Sequence, residues 1–378
     1  MNRIQSRSPF IIKHTEVDLL QVVIRLYVYT GTQNDSTDRD NGFSYQAILT
    51  PINNSNEVVF DASEIIDSIL QIEFDGAYTS QMVWVDYDIT ATTDSGELPT
   101  ESIVNLEGYG GFRYFEEGVQ NLSRANDTNK ILMSDRCIYK GADSVVRIPV
   151  MADSNYSVDY IKDGQVVYSE TVVSSDESIE RIHYLSSEAV NGVDNYKERV
   201  LVDSGVFEDS TCLQSFLGIV ELYDADYILI DGERMYIKPY PCSKYDSYKV
   251  TFVNKFGALQ DVYFDGKSSQ SMRVKSESKY RRNTLVSDSY SISEHTSVNI
   301  DKNGMDTMKL STGFVSESVL NTFKELQLSK RVWIEKDGLT LPVNVKDSSF
   351  KYKTSLNDKL INYTIDVEFS FNSISNIR

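Results

Sequence analysis

Cysteine, tryptophan, histidine and proline are all scarce in this 378-residue chain, with 3, 2, 3 and 7 residues respectively. Cys137, Cys212 and Cys242 are an odd, widely spaced set without a C-x-x-C pair, which argues against a zinc site or a redox motif. They read as reduced, partly buried thiols of a protein made in a reducing cytoplasm. His14, His183 and His295 lie far apart, with no metal-ligand spacing among them. No uninterrupted apolar run reaches the length of about 18 residues that a membrane-spanning helix needs. Near the N-terminus Lys13, Glu16, Asp18 and Arg25 interrupt the apolar residues, so no signal peptide is expected.

Positive charge is also in deficit. Against 56 acidic residues stand 37 basic ones, a formal net charge of −19. Such a field repels phosphate backbones and anionic membranes, so neither non-specific nor sequence-specific nucleic-acid binding is expected, although an acidic tube lining would let DNA slide past. Tyrosine is abundant instead, at 24 residues beside 16 phenylalanines. Flat rings pack well on a pleated, half-buried surface, and a phenol tolerates a wet face, which suits sheets and interfaces alike.

The dominant pattern has a period of two. Val22, Ile24, Leu26 and Val28 share one face of a strand, and Ile361, Tyr363, Ile365, Val367, Phe369 and Phe371 alternate with polar residues in "LINYTIDVEFSF". Further strands are expected in "SQMVWVDYDIT", "SVVRIPV", "YSVDYIKDGQVVYSETVV", "DYILIDGERMYIKPY" and "RVWIEKDGLTLPVNV". Eight Asn-Gly or Asp-Gly pairs punctuate these runs, most plainly at Asp163, Asp231 and Asp337. Such pairs accept the positive φ angles of tight hairpin turns. Two helices interrupt the strands. In one, Ile65, Ile66, Ile69 and Leu70 form an apolar face behind Asp61 as N-cap; in the other, Val319, Leu320, Phe323 and Leu326 follow Ser316 as cap.

The expected fold class is all-β: two or three sandwich or barrel domains, Ig-like or jelly-roll-like, with two short covering helices. The expected divisions are residues 1–118, 119–242 and 243–378, the last carrying a helix near 316–329. "TGTQNDSTDRDNG", "QNLSRANDTNK" and "VSSDESIE" read as loops.

Motifs that would carry chemistry fail one by one. "FDGKSSQ" ends like a phosphate loop, but Asp261 stands where the first glycine belongs and no apolar-periodic helix follows, so a hairpin turning at "NKFG" explains the stretch better. "EGYGGFRYFEEG" has Arg113 in place of the third glycine of a dinucleotide loop. Its aromatics Tyr109, Phe112, Tyr114 and Phe115 suit either packing at a domain junction or a contact patch for a sugar or a partner chain. No G-x-S-x-G elbow occurs. The carboxylates of "NDSTDRDNG" and "YDADY" miss the spacing of a calcium loop, with Leu49 where the bidentate glutamate should be. No catalytic residue, cofactor or metal is expected. One constellation stands out: in "MRVKSESKYRR", Arg273, Lys275, Lys279 and Arg281 share a strand parity, with Glu277 among them and Arg282 adjacent, in an otherwise acidic chain. They read as a solvated strand face or as a docking strip for the acidic surface of a neighbouring subunit.

"YKVTFVNKFGALQDVYFDGK", "KLSTGFVSESVLNTFKELQLSKRVWI" and "LPVNVKDSSFKYKTSLNDKLINYTIDVEFSF" resemble segments of virion structural proteins of crAss-like and related short-tailed phages of Bacteroidota, and "SPFIIKH" and "VVFDASEIIDSIL" are similar to the opening of the same proteins. The resemblance covers both ends and is patchiest over about 120–240. It implies a non-enzymatic virion component in the tail or portal vertex that assembles with itself and other virion proteins after synthesis in the bacterial host cytoplasm. A head fibre, a capsid-decorating protein and a host-surface glycan-binding module are the alternatives. It maps no functional residues onto this chain.

Overall fold

The computed structural model describes residues 3–30, 42–52, 55–118, 130–141, 144–173, 181–186, 225–240, 244–276, 279–281, 285–286, 289–290, 292–293, 295–299, 302–346 and 360–374. Cys212, Cys242 and most of the three polar stretches lie outside them. Strands dominate, and the chain divides into two compact units. The first comprises Met1–Pro239, Thr251–Val262 and Ser318–Ser329; the second comprises Tyr240–Val250, Tyr263–Glu317 and Lys330–Arg378.

The first unit begins with β1 (Arg3–Gln5), β2 (Ile11–Thr15), β3 (Leu19–Tyr29), β4 (Tyr45–Leu49), β5 (Glu57–Asp61), helix α1 (Ser63–Ile69), β6 (Met82–Thr93), β7 (Gly96–Glu97) and β8 (Glu101–Tyr109). One sheet runs β1-β8-β6-β3-β4, with β7 on β6 and β1 parallel to β8; β2 and β5 pair separately. The period of two in β3 is realised: Val22, Ile24, Leu26 and Val28 are all buried. Each such side chain contributes about 1.5–3 kcal/mol when fully removed from water.

Next come β9 (Cys137–Lys140), β10 (Arg147–Met151), β11 (Tyr156–Lys162), β12 (Gln165–Val172), β13 (Ile182–Ser186), β14 (Tyr227–Ile230) and β15 (Glu233–Pro239). They form a β12-β11-β14-β15-β9 sheet and a β10-β13 pair. One core cluster joins Tyr29, Met82, Trp84 and Tyr109 to Leu132, Met151, Ile182 and Ala258. Residues on both sides of 118 belong to this unit, as do Thr251–Val262 and Ser318–Ser329.

The remaining strands are β16 (Tyr248–Val253), β17 (Leu259–Phe264), β18 (Ser269–Ser276), β19 (Lys279–Arg281), β20 (Leu285–Val286), β21 (Ser289–Tyr290), β22 (Ser297–Asn299), β23 (Lys302–Ser316), β24 (Val332–Lys336), β25 (Leu339–Val345) and β26 (Leu360–Phe369). Helix α2 (Leu320–Leu328) follows β23. A seven-stranded sheet has the order β17-β16-β24-β25-β26-β23-β18. Its two outermost strands are joined by residues 265–268 alone. Flat, such a sheet would hold them about 29 Å apart, whereas the connection reaches at most about 18 Å. The sheet therefore curls like a barrel wall. Gly266 N–H donates to the Ser311 carbonyl at 2.8 Å, and Lys336 Nζ donates to Gln270 Oε1 at 2.9 Å.

The turns follow the sequence reading at Asp163-Gly164, Asp231-Gly232 and Asp337-Gly338. Both residues of each pair have positive φ and close two-residue hairpins. Asn303-Gly304 differs. It lies inside β23, where a Cβ on Gly304 would come within 2.8 Å of Met272 Sδ. Both expected helices form, but neither is capped as expected. Asp61 ends β5 and its Oδ1 accepts from the Ser63 and Phe10 N–H groups, while Ala62 occupies the cap position of α1. Ser316 ends β23, and α2 is entered through the 3₁₀ turn Glu317–Val319.

Candidate interaction surface

The glycine-rich stretch that failed as a dinucleotide loop meets the "NKFG" turn in the first unit. The turn between β16 and β17 is organised by Asn254, whose Oδ1 accepts from Phe256 N–H at 2.9 Å and Ala258 N–H at 3.1 Å. Phe112 N–H donates to the Lys255 carbonyl at 2.8 Å. A Cβ on Gly111 would lie 2.3 Å from that carbonyl oxygen and 2.8 Å from Gly257 N. The glycine thus permits a close backbone approach. Asp261 is buried and accepts from the Tyr78 hydroxyl and from Thr251 Oγ1 at 2.7 Å.

The four aromatics of the candidate contact patch separate by burial. Tyr109 and Phe112 are core residues at 2% and 7% exposure, so neither offers a surface to a ligand. Tyr114 is partly buried, with Lys324 Nζ 3.7 Å and Lys255 Nζ 5.1 Å from its ring centroid. Phe115 alone is fully exposed, at 101%. It sits on the 3₁₀ turn Phe115–Glu117, where Tyr114 N–H donates to Glu117 Oε2 and Glu117 pairs with Lys255. The segment 119–129 that follows lies outside the described residues.

Two buried carboxylates of the same unit were not legible as partners. Asp135 Oδ1 accepts from Asn321 Nδ2 at 2.9 Å, and its Oδ2 accepts from the Thr322 N–H at 2.7 Å and hydroxyl at 2.9 Å. Glu325, fully buried, accepts from Ser134 Oγ and, at 3.1 Å, from Lys255 N–H. Burial raises both carboxyl pKa values, opposed by these hydrogen bonds. Every carboxylate oxygen of the pair is engaged by a donor of the protein, so the arrangement is a clasp for α2 and the 254–257 turn.

The basic strip falls in the second unit. Arg273 and Lys275 lie on β18, Lys279 and Arg281 on β19. β18 pairs with β23 and β19 with β22, as separate ladders. Yet Ser276 faces Lys302 and, three residues on along each strand, Lys279 faces Asn299, so the register is the same in both. Arg273 and Lys275 thus share a parity on β18, and Lys279 and Arg281 share one on β19. Their cross-strand partners are Met305, Asn303, Asn299 and Ser297, none of them acidic. Arg273 and Arg281 are exposed, while the side chains of Lys275 and Lys279 lie outside the described set. β26 pairs with β23 from Thr307 onward, and beyond it Ser373 N–H donates to the Gly304 carbonyl at 2.8 Å and Ile374 N–H to Asn303 Oδ1 at 3.1 Å. Residues Ser269 to Val274 are exposed on both faces, including Met272 at 57% and Val274 at 48%.

Among the described residues no group of three His, Cys, Asp or Glu side chains could hold a metal ion, and no helix is long and apolar enough to cross a membrane. "NDSTDRDNG" lies almost wholly outside the described residues. In "YDADY", Asp226 accepts from the Asp163 N–H at 2.8 Å. Cys137 is a buried free thiol, and burial raises its pKa.

The chain matches no protein-family model and no curated protein. One solved structure, from work on the host cell surface retention of a 1.5-MDa bacterial ice-binding adhesin, aligns at 9% identity over 82% of this chain and 88% of that one. Its TM-score of 0.17 is too low to carry an argument about fold or function.

Proposed function

We propose that this chain is a non-enzymatic structural subunit of a phage virion, built into the tail or portal-vertex assembly and joined to its neighbours through strand edges. The observation that carries this reading is the ribbon of β18 to β23. A two-stranded ribbon is marginally stable at best in water, and β18 leaves one backbone edge without a neighbouring strand among the described residues. Such an edge is a template for pairing with another chain. A subunit that is completed by its neighbours uses that edge and is stabilised by doing so. The sequence resemblance to virion structural proteins of short-tailed phages points the same way.

Immunogold labelling of purified particles with antibody to this protein tests the proposal. Gold at one pole supports the tail or portal vertex. Gold over the head moves the subunit to capsid decoration. Labelling that needs disrupted particles makes it an internal component, and no label in either preparation overturns the virion reading.

A further inference from the structure

We infer that the face of β15 bearing Arg234, Tyr236 and Lys238 is a binding site for a carboxylate-bearing glycan. This is a second activity beside the assembly role proposed above, and either can fail without the other. Alternation along β15 sets the face. Met235 and Ile237 are buried, at 0% and 5% exposure, which turns Arg234, Tyr236 and Lys238 to the other side of the sheet. All three are exposed. The ladders bring further rings to them. Tyr227 of β14 stands directly opposite Tyr236, with ring centroids 5.6 Å apart and planes at 49°, and Tyr139 of β9 is in register with Lys238. Each cation lies over a ring: Arg234 Cζ is 5.2 Å from the Tyr227 centroid, and Lys238 Nζ is 5.9 Å from that of Tyr139.

These contacts prepare an anion site. A guanidinium held against a ring keeps the N–H groups along its edge available for a carboxylate. Arg234 and Lys238 lie four residues apart on one strand, about 13 Å at the usual strand rise, with Tyr236 between them. The acidic side chains of the β14–β15 hairpin are engaged elsewhere. Glu233 pairs with Arg136 at 3.0 Å, Asp231 Oδ1 accepts from the Ser157 N–H at 2.8 Å, and Asp226 Oδ2 accepts from the Asp163 N–H at 2.8 Å. Neither Arg234 nor Lys238 forms an ion pair among the described residues.

Charge complementarity selects an anion, and the phenols select its kind. A tyrosine gives its ring to the C–H side of a sugar and its hydroxyl to the sugar's polar rim. Sugar carboxylates are sparse, so two cations suffice for them. A nucleic-acid strand carries a phosphate on every nucleotide, and most of these would lie against a chain of net charge −19. Charges farther off than about 8 Å are largely screened at physiological salt, which leaves the local pair of cations to decide.

The test is isothermal titration calorimetry of the full chain with a galacturonate oligomer, a hyaluronan oligomer, an uncharged dextran oligomer and single-stranded oligo-dT. At least one acidic oligomer is expected to bind saturably in about 50 mM salt and at least about tenfold more weakly in about 500 mM. Dextran and oligo-dT are expected to bind more weakly than that oligomer. The R234E/K238E variant is expected to lose at least about tenfold in affinity, and so is Tyr236→Ala, with unchanged melting midpoints because all three side chains are exposed. Should the Glu variant not fold, R234Q/K238Q provides the same comparison. No binding of either acidic oligomer overturns the inference, as does a folded double variant that binds as the wild type does. Equal binding of dextran removes the carboxylate, and tighter binding of oligo-dT replaces the glycan with nucleic acid; either result overturns it too. A chain that binds the acidic oligomer while its antibody labels no particle keeps this site and removes the virion role.

Discussion

Asp135 Oδ2 accepts the backbone N–H of Thr322 at 2.7 Å, across 187 residues of sequence. The first turn of α2 has no side-chain cap of its own, since Val319 occupies the cap position. A carboxylate from the segment ahead of β9 does locally what an N-terminal Ser or Asp ordinarily does. Asp135→Ala should therefore cost about 2 kcal/mol, the upper range for an N-cap, because buried donors are stranded as well. Urea unfolding followed by circular dichroism measures it, and a midpoint equal to wild type refutes the cap.

Glu325 gives the pH dependence its sign. Asp135 and Glu325 both have folded-state pKa values above their unfolded ones, because burial penalises the charged form. Their favourable contribution is complete below the unfolded value of about 4 and is lost as pH rises through the folded values. Glu325→Gln removes the buried charge and keeps an acceptor for Lys255 N–H. Its melting midpoint relative to wild type should be higher at pH 8 than at pH 4. A difference that is flat across this range would mean that the Glu325 charge carries no such cost.

Arg181 and Glu107 form an ion pair of 3.2 Å in which both side chains are 1% exposed, with the guanidinium 5.7 Å from the Trp84 ring centroid. Removing one member takes a buried opposite charge away from the other, although Glu107 keeps Arg3 Nε at 3.9 Å and the Tyr109 hydroxyl at 3.0 Å. Arg181→Met should destabilise by about 3–5 kcal/mol, and adding Glu107→Gln should recover a large part of that. A double-mutant cycle with no coupling would show that the two charges are stabilised independently.

Gly111 faces backbone at distances that a side chain never tolerates. Gly111→Ala would bring its Cβ to 2.3 Å from the Lys255 carbonyl oxygen, and no flexible side chain is there to yield. The expected loss is at least about 2 kcal/mol, through displacement of the 254–257 turn. An alanine variant that melts with the wild type would show that the turn shifts without cost.

Much of this architecture was legible in the sequence because its signals are local. A strand with one buried face must alternate, as in Ile361 to Phe369, and an Asp-Gly pair takes positive φ at little cost, as at Asp337-Gly338. Burial was not. Tyr109 and Phe115 stand six residues apart in one aromatic run, yet one is in the core and the other in solvent. That outcome depends on Trp84, Leu132 and Ala258, which pack with Tyr109 from three other parts of the chain.

The amino-acid sequence by itself determined the predominance of strands, the tight turns at Asp163, Asp231 and Asp337 and the buried face of alternating strands such as β3 and β26, because these follow from backbone conformation and a period of two. Only the tertiary structure decided that Asp135 caps α2, that Gly111 admits the Lys255 carbonyl and that α2 joins the first unit while the strands on either side of it join the second. Those outcomes depend on which distant groups lose water together, and no local pattern records such pairings.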